Sequence, residues 1–193
     1  MSPGWGNEER SRLTKLLKEH ALRLGTFTLA SGRTSHYYID GRKVTLSAEG
    51  ARLIALGVLG LLEAHPDVTA VGGLTMGADP IVGATLALAP AHGRPGLHGF
   101  LVRKQAKAHG TGNLVEGPLQ PGSTVAIVDD VATTGGSSLQ AIEAVEALGC
   151  QVALVAVVLD RLEGAAQAFE SRGLCFRPLL DIRDLGVEPL QAP

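Results

Sequence analysis

Residues 152–159 read VALVAVVL and residues 124–128 read TVAIV, with almost no polar interruption. A strand with one wet face alternates apolar and polar residues. A strand without that alternation is covered on both faces, which happens in parallel sheets flanked by helices. The neighbouring segments fit this frame. VTAVGGL (68–74), LHGFLVRK (97–104), TVAIVDD (124–130) and QVALVAVVLD (151–160) read as strands. Helices are predicted from Ser47 to about Ala64, from about Pro80 onward, and from Ser137 to Leu148. The expected fold is α/β, with a central, mostly parallel sheet between helices.

The ends of the chain do not follow this rhythm. Residues 7–25 read as an amphipathic helix, with Asn7 as cap, Leu13, Leu16, Leu17, Leu22 and Leu24 as its stripe, and Gly25 as its stop. In residues 26–46, SGRTS (31–35) reads as a turn and HYYID (36–40) as a strand. A small hood is expected from about residues 1–45 plus 177–193, over a core of about 46–176, all in one domain.

Composition narrows the function. The formal net charge of the 193 residues is −2, which gives no footprint for nucleic acid or an acidic membrane. Cys150 and Cys175 have neither CxxC spacing nor a nearby histidine, and read as structural thiols of a reducing compartment. The opening residues lack a basic stretch followed by an apolar one, so no signal peptide is read there. The apolar runs Leu53–Leu62 and Pro80–Ala91 are shorter than the roughly 20 residues of a membrane span. A cytoplasmic location is expected.

One segment carries chemistry: VDDVATTGGS, residues 128–137. In an open parallel sheet, ligands bind beyond the carboxyl ends of the strands, and Asp129 and Asp130 fall at such an end. Successive strand residues face opposite ways, so the two carboxylates need not share a ligand atom. The loop from Thr133 to Ser138 can surround a phosphate with backbone N–H groups, unhindered at Gly135 and Gly136, ahead of a helix N-terminus. Acids for sugar hydroxyls or a metal, next to donors for a phosphate, describe a site for a ribose phosphate. A plain strand-to-helix turn capped by Asp and Thr is the alternative. No GxxxxGK[ST] is present, and GTGNLV (110–115) lacks both the last glycine and the context of a dinucleotide fingerprint.

This segment resembles the phosphoribosyl-pyrophosphate (PRPP) signature of type I phosphoribosyltransferases. FTLASGRTSHYYID (27–40) resembles the hood segment of the orotate phosphoribosyltransferase family, and RKQAKAHGTGNLVEG (103–117) resembles that family's mobile catalytic loop. GGLTMGADPIVGATL (72–86) is similar to its pyrophosphate-contacting turn. The resemblance implies transfer of ribose 5-phosphate from PRPP to orotate, giving orotidine 5′-monophosphate and pyrophosphate, with Mg²⁺.

It also implies roles for residues. Arg103, Lys104, Lys107 and His109 would face pyrophosphate. Asp129 and Asp130 would hold the ribose hydroxyls, either of them touching a Mg²⁺ bridged mainly by substrate. Val131, Ala132, Thr133, Thr134, Gly135, Gly136 and Ser137 would complete the PRPP site. Catalysis would rest on Lys107, His109, Asp129 and Asp130. Thr133 and Arg161 would contact orotate, and Tyr38 falls where the family places an aromatic residue against the ring. An ion pair of Arg161 with Asp160 or Glu163, and a core position for Tyr38, are the competing readings. Some members carry a lysine where this chain has Ala30. A homodimer sharing the 103–113 loop is implied, with Lys107 acting across the interface. A regulator that senses PRPP without catalysis, and transfer to a purine or uracil, are the alternatives. The complete basic loop argues against the first, and the hood segment with Arg161 against the second.

Overall fold

The computed structural model describes residues 5–28, 34–105 and 114–190. Six strands form the central sheet: β3 (Ala70–Leu74), β4 (His98–Val102), β5 (Val115–Glu116), β6 (Thr124–Ala132), β7 (Gln151–Asp160) and β8 (Phe176–Asp181). Their spatial order is β5-β4-β3-β6-β7-β8. All neighbours run parallel except β4 and β5.

The apolar runs are explained by two cores. Ala126 and Val128 of β6, with Leu154, Ala156 and Val158 of β7, pack on one face against Leu53, Ile54 and Val58 of α3 (Ala48–Leu62) and Ile81 of α4 (Asp79–Leu88). Val125 and Ile127, with Val155 and Val157, pack on the other face against Ala141, Ile142 and Val145 of α5 (Gly136–Glu146) and Phe169 of α6 (Ala165–Glu170). Each alternate residue is buried by a different helix layer, so neither face can be polar. Ser47 caps α3 as its sequence position suggests, its hydroxyl accepting the Gly50 N–H at 3.1 Å.

The N-terminal helix is shorter than the sequence reading. α1 spans Asn7–Leu16, a π-helical turn covers Leu17–Ala21, and β1 (Leu22–Thr28) follows. The buried stripe is Leu13, Leu17 and Ala21, at four-residue spacing. Leu22 and Leu24 leave it because β1 pairs with β2 (Thr34–Ile39) in a separate antiparallel ribbon, a contact that helical periodicity does not register. Gly6, not Asn7, is the cap, and its N–H is taken by the Glu9 carboxylate at 3.2 Å. Gly25 lies within β1, where the pairing slips between Leu24 and Phe27.

Two further corrections concern the hood. A short helix, α2 (Arg42–Thr45), links the ribbon to α3. Residues 177–181, expected in the hood, belong to β8 of the central sheet, with Leu179 and Leu180 buried in the core. Pro178 is accommodated because β8 is an edge strand. Among the described residues, no helix is long and apolar enough to cross a membrane.

The strand order creates the binding crevice. From β3 the chain moves outward to β4 on one side, and from β6 it moves to β7 on the other. The order therefore reverses between β3 and β6, and the loops leaving their carboxyl ends part there.

Candidate active site

A cavity of about 320 Å³ opens at this reversal. Its lining includes Leu74 at the end of β3 and Thr75–Gly77 after it, Asp129–Val131 of β6 with Thr133 just beyond, and Arg161 just past β7. A second cavity of about 240 Å³ adjoins it, lined by Asp129 and by residues 131–138. Asp129, Val131, Thr133 and Ser137 line both, so the two spaces form one site.

The carboxylates do not diverge as strand alternation suggests. Asp129 Oδ1 accepts the Asp130 N–H at 2.9 Å, and Asp130 Oδ1 accepts the Val131 N–H at 2.8 Å. Each side chain thus bends toward the N–H of the residue that follows it, and both reach the same space beside Gly77. A Cβ at Gly77 would lie 2.3 Å from Asp129 Oδ1 and 3.0 Å from Asp130 Oδ1. Asp129 is buried, at 6% exposure, and this burial together with the Asp130 charge pushes its pKa up to about 7. Burial raises Asp130 as well. Such a pair attracts groups that relieve its charge: ribose hydroxyls, which donate hydrogen bonds, or a divalent cation. Among the described residues no group of three or more His, Cys, Asp or Glu forms a closed metal site. Two carboxylates with no further ligands suit Mg²⁺, which keeps waters and substrate oxygens in its shell.

The loop behind them leads into a helix start, which can receive an anion. Gly135 caps α5 at φ +81°, and a side chain there would press its Cβ to 2.8 Å from the Phe169 ring. The first intrahelical bond runs from the Leu139 N–H to the Gly135 carbonyl at 2.9 Å. Residues 136–138 therefore present the N–H groups that a helix start leaves for a ligand.

The cationic residues separate. Lys104 lines the cavity, its carbonyl tied to Gln140 Nε2 of α5 at 3.0 Å. Arg103 is turned to Glu116 of β5 at 2.9 Å and is not among the lining residues. Lys107 and His109, like Ala30, lie outside the described residues.

Arg161 is nearly buried. Its Nη2 lies 2.8 Å from Glu163 Oε1, the ion pair that sequence reasoning weighed as the competing role. That contact is one of distance only, because Nη2 finds no aligned hydrogen-bond acceptor among the described residues. Arg161 thus pairs with Glu163 and also lines the cavity. Tyr38 is not brought to that wall. Alternation along β2 turns Ser35, Tyr37 and Ile39 inward, and leaves Tyr38 38% exposed against Phe27, ring centres 5.7 Å apart. Tyr37 is the buried aromatic, its ring 4.8 Å from the Arg161 guanidinium carbon.

Sequence reasoning missed Arg42, which lines the cavity with Asp40 and pairs with it at 3.0 Å. Asp40 raises its pKa, chiefly through their hydrogen bond. The available signal was Gly41, where a Cβ would lie 3.0 Å from Asp130 Oδ2 and Val131 Cγ2. The Tyr37–Glu163 pairing has no signal in sequence spacing.

Comparison with known proteins agrees with this geometry. Residues 95–175 match the phosphoribosyl transferase domain family. The orotate phosphoribosyltransferase of Rhodopirellula baltica is 45% identical over 98% of this chain and 100% of its own length. A phosphoribosyltransferase crystal structure from Corynebacterium diphtheriae superposes with a TM-score of 0.80 at 39% identity, covering 93% of this chain and 99% of that one. The Mycobacterium tuberculosis orotate phosphoribosyltransferase, crystallised with PRPP, gives a TM-score of 0.74 at 38% identity with the same coverage. With this similarity spanning nearly the full length of both chains, the chain belongs to the orotate phosphoribosyltransferase family.

Proposed function

We propose that this chain transfers the 5-phosphoribosyl group from PRPP to orotate, releasing pyrophosphate and giving orotidine 5′-monophosphate for pyrimidine synthesis. The observation that carries this reading is the continuity of the two cavities, with the carboxylate pair at their junction, a helix-start loop on one side and Arg161 on the other. Asp129 and Asp130 hold the ribose hydroxyls. Residues 132–137 hold the 5′-phosphate. Arg161, at the cavity wall, directs its guanidinium to the orotate carboxylate, an interaction a guanidinium makes well. Thr133 lies at the junction, within reach of both substrates.

As the C1′–O bond to pyrophosphate breaks, positive charge grows on the ribose and negative charge on the leaving group. Groups fixed around those charges lower the barrier by electrostatics and positioning. The carboxylate pair faces the ribose; Lys104 and Arg42, with Lys107 and His109 of the loop, supply positive charge for pyrophosphate. Asp129 or Asp130 would hold Mg²⁺, and a metal there would supply further neutralisation of the leaving group's charge.

We also propose a homodimer in which Lys107 serves the partner's site. Leu46 and Met76, 73% and 66% exposed, support it, since both line, with Asp40, Arg42 and Lys43, one hollow beside the active site that a second copy would cover. The free thiols Cys150 and Cys175 support action in the cytoplasm. The test of the activity is loss of orotate absorbance when PRPP and Mg²⁺ are added to the protein. Uracil, adenine and hypoxanthine run beside it should give no product.

A further inference from the structure

The residues around Arg161 form a closed arrangement. Tyr37 Oη donates to Glu163 Oε1 at 2.9 Å and accepts from Arg161 Nε at 3.3 Å. Glu163 Oε1 faces Arg161 Nη2 at 2.8 Å, and the Tyr37 ring lies beneath the guanidinium. All three residues are buried, at 0%, 8% and 7% exposure for Tyr37, Arg161 and Glu163. A buried carboxylate and guanidinium fix each other's geometry strongly, because neither has water as a substitute partner.

The backbone is bent to make this possible. Leu162, between the two charged residues, has φ +58°, and among the described residues no other non-glycine residue has a positive φ. Its N–H is held by the buried carboxylate of Asp160 at 2.9 Å. A branched side chain in this region is disfavoured, and the turn persists because its surroundings hold it. Arg161 is also tied by its own N–H to the Ala132 carbonyl at 2.9 Å, in the strand that leads into the phosphate loop. Tyr37, by contrast, comes from β2 of the ribbon, far away in sequence.

We infer that Tyr37 and Glu163 are positioning residues that aim the Arg161 guanidinium at the orotate carboxylate, so that docking of the β1–β2 ribbon sets the enzyme's selectivity for a carboxylated base. This rests on the reading of Arg161 as the orotate ligand. Tyr37 takes the Nε hydrogen and Glu163 stands 2.8 Å from Nη2, so together they fix how the guanidinium is turned at the cavity it lines. Neither lines the two cavities.

Steady-state kinetics with orotate and PRPP varied separately test this. Tyr37→Phe keeps the ring beneath Arg161 and removes only the hydroxyl. It should raise the KM for orotate about tenfold, the size of a lost hydrogen bond to a charged group, and leave the KM for PRPP within about twofold. Arg161→Ala should raise the KM for orotate further, and adding Tyr37→Phe to it should change nothing more, since the hydroxyl then has nothing to aim. If Arg161→Ala shifts both KM values alike, the reading of Arg161 itself falls. If Arg161→Ala is selective while Tyr37→Phe is silent, or the two effects add, the positioning role alone is overturned. Should Tyr37→Phe lose its cooperative thermal melt, a second pair decides. Glu163→Gln retains an acceptor oxygen and should recover most of the orotate affinity that Glu163→Ala loses; equal losses in the two would overturn the proposal.

Discussion

Asp129 ties stability to the site in a way that can be measured without substrate. In the folded protein it keeps its proton until about pH 7, whereas the unfolded chain releases it near 3.8. Between those values the folded state binds more protons than the unfolded one, so stability falls as pH rises through the interval. Each pH unit removes about 1.4 kcal/mol, which sets an upper bound of about 4 kcal/mol for the whole interval. Asp129→Asn is neutral at every pH and fills the same volume. It should therefore be more stable than the parent protein at pH 8 by about 2–4 kcal/mol, or ~5–15 °C in Tm for a chain of this size. The gain should shrink steadily on acidification and vanish near pH 4. Thermal melts followed by circular dichroism from pH 4 to 8.5, without ligands, give the two curves. Parallel curves across that range would refute the argument, because they would mean that Asp129 ionises in the folded protein as easily as in the unfolded chain. The same variant should turn over about 10²–10³ times more slowly, the usual effect of losing one group that faces the transition state.

Other consequences follow from the same geometry. Gly77→Ala pushes a methyl group to 2.3 Å from Asp129 Oδ1, so the carboxylates must move by about 1 Å. A kcat/KM for PRPP lower by about 10²-fold is expected, and a rate near the parent's would show the pair is not held where the reaction needs it. Gly135→Ala combines a φ of +81° with a clash against Phe169; it should lower stability by about 1–3 kcal/mol and weaken PRPP binding, measured by calorimetry. Excess EDTA should abolish activity and Mg²⁺ or Mn²⁺ should restore it, whereas zinc is not required. Finally, Lys107→Ala and Asp129→Asn/Asp130→Asn dimers, each nearly inactive, should regain about a quarter of parental activity after subunit exchange, because two-fold symmetry gives each mixed dimer one intact site. Exchange verified by mass spectrometry with no recovery would place Lys107 in its own subunit's site.

The central sheet was legible because β6 and β7 are covered on both sides, and their apolar runs record that directly. The loop after β6 was legible as a helix start for a local reason as well: Gly135, Gly136 and the hydroxyls around them sit where α5 begins. What escaped the sequence was set by distant partners. Leu22 and Leu24 continue a helical pattern only roughly, and pairing with β2 takes them into a strand. Phe176–Asp181 contains a proline and an arginine, which obscure a strand that only an edge position tolerates. Tyr37 and Tyr38 are adjacent and chemically identical; the inward turn of Ile39, two residues on from Tyr37, distinguishes them once β2 has a buried face. The shared direction of Asp129 and Asp130 was illegible for a subtler reason. Alternation governs where Cβ atoms point, but each carboxylate is bent by the N–H of the next residue.

These deviations from local rules collect at one end of the sheet. Asp129 is buried and Asp130 half-buried beside it near the end of β6, and Leu162 takes a left-handed turn just past the end of β7. Arg161 beside it holds a buried donor without an aligned acceptor. Each is unfavourable for the ligand-free fold, and the charged groups among them have partners in the proposed substrates: ribose hydroxyls and cation charge for the carboxylates, and a carboxylate for the guanidinium. The strands beneath can carry this burden because both of their faces are packed. A site assembled from features that substrate relieves binds by cancelling penalties already present in the protein. That is why neutralising Asp129 should strengthen the fold while weakening the reaction, and why the same substitution at a well-paired surface carboxylate, such as Asp184 with Arg10, should do neither.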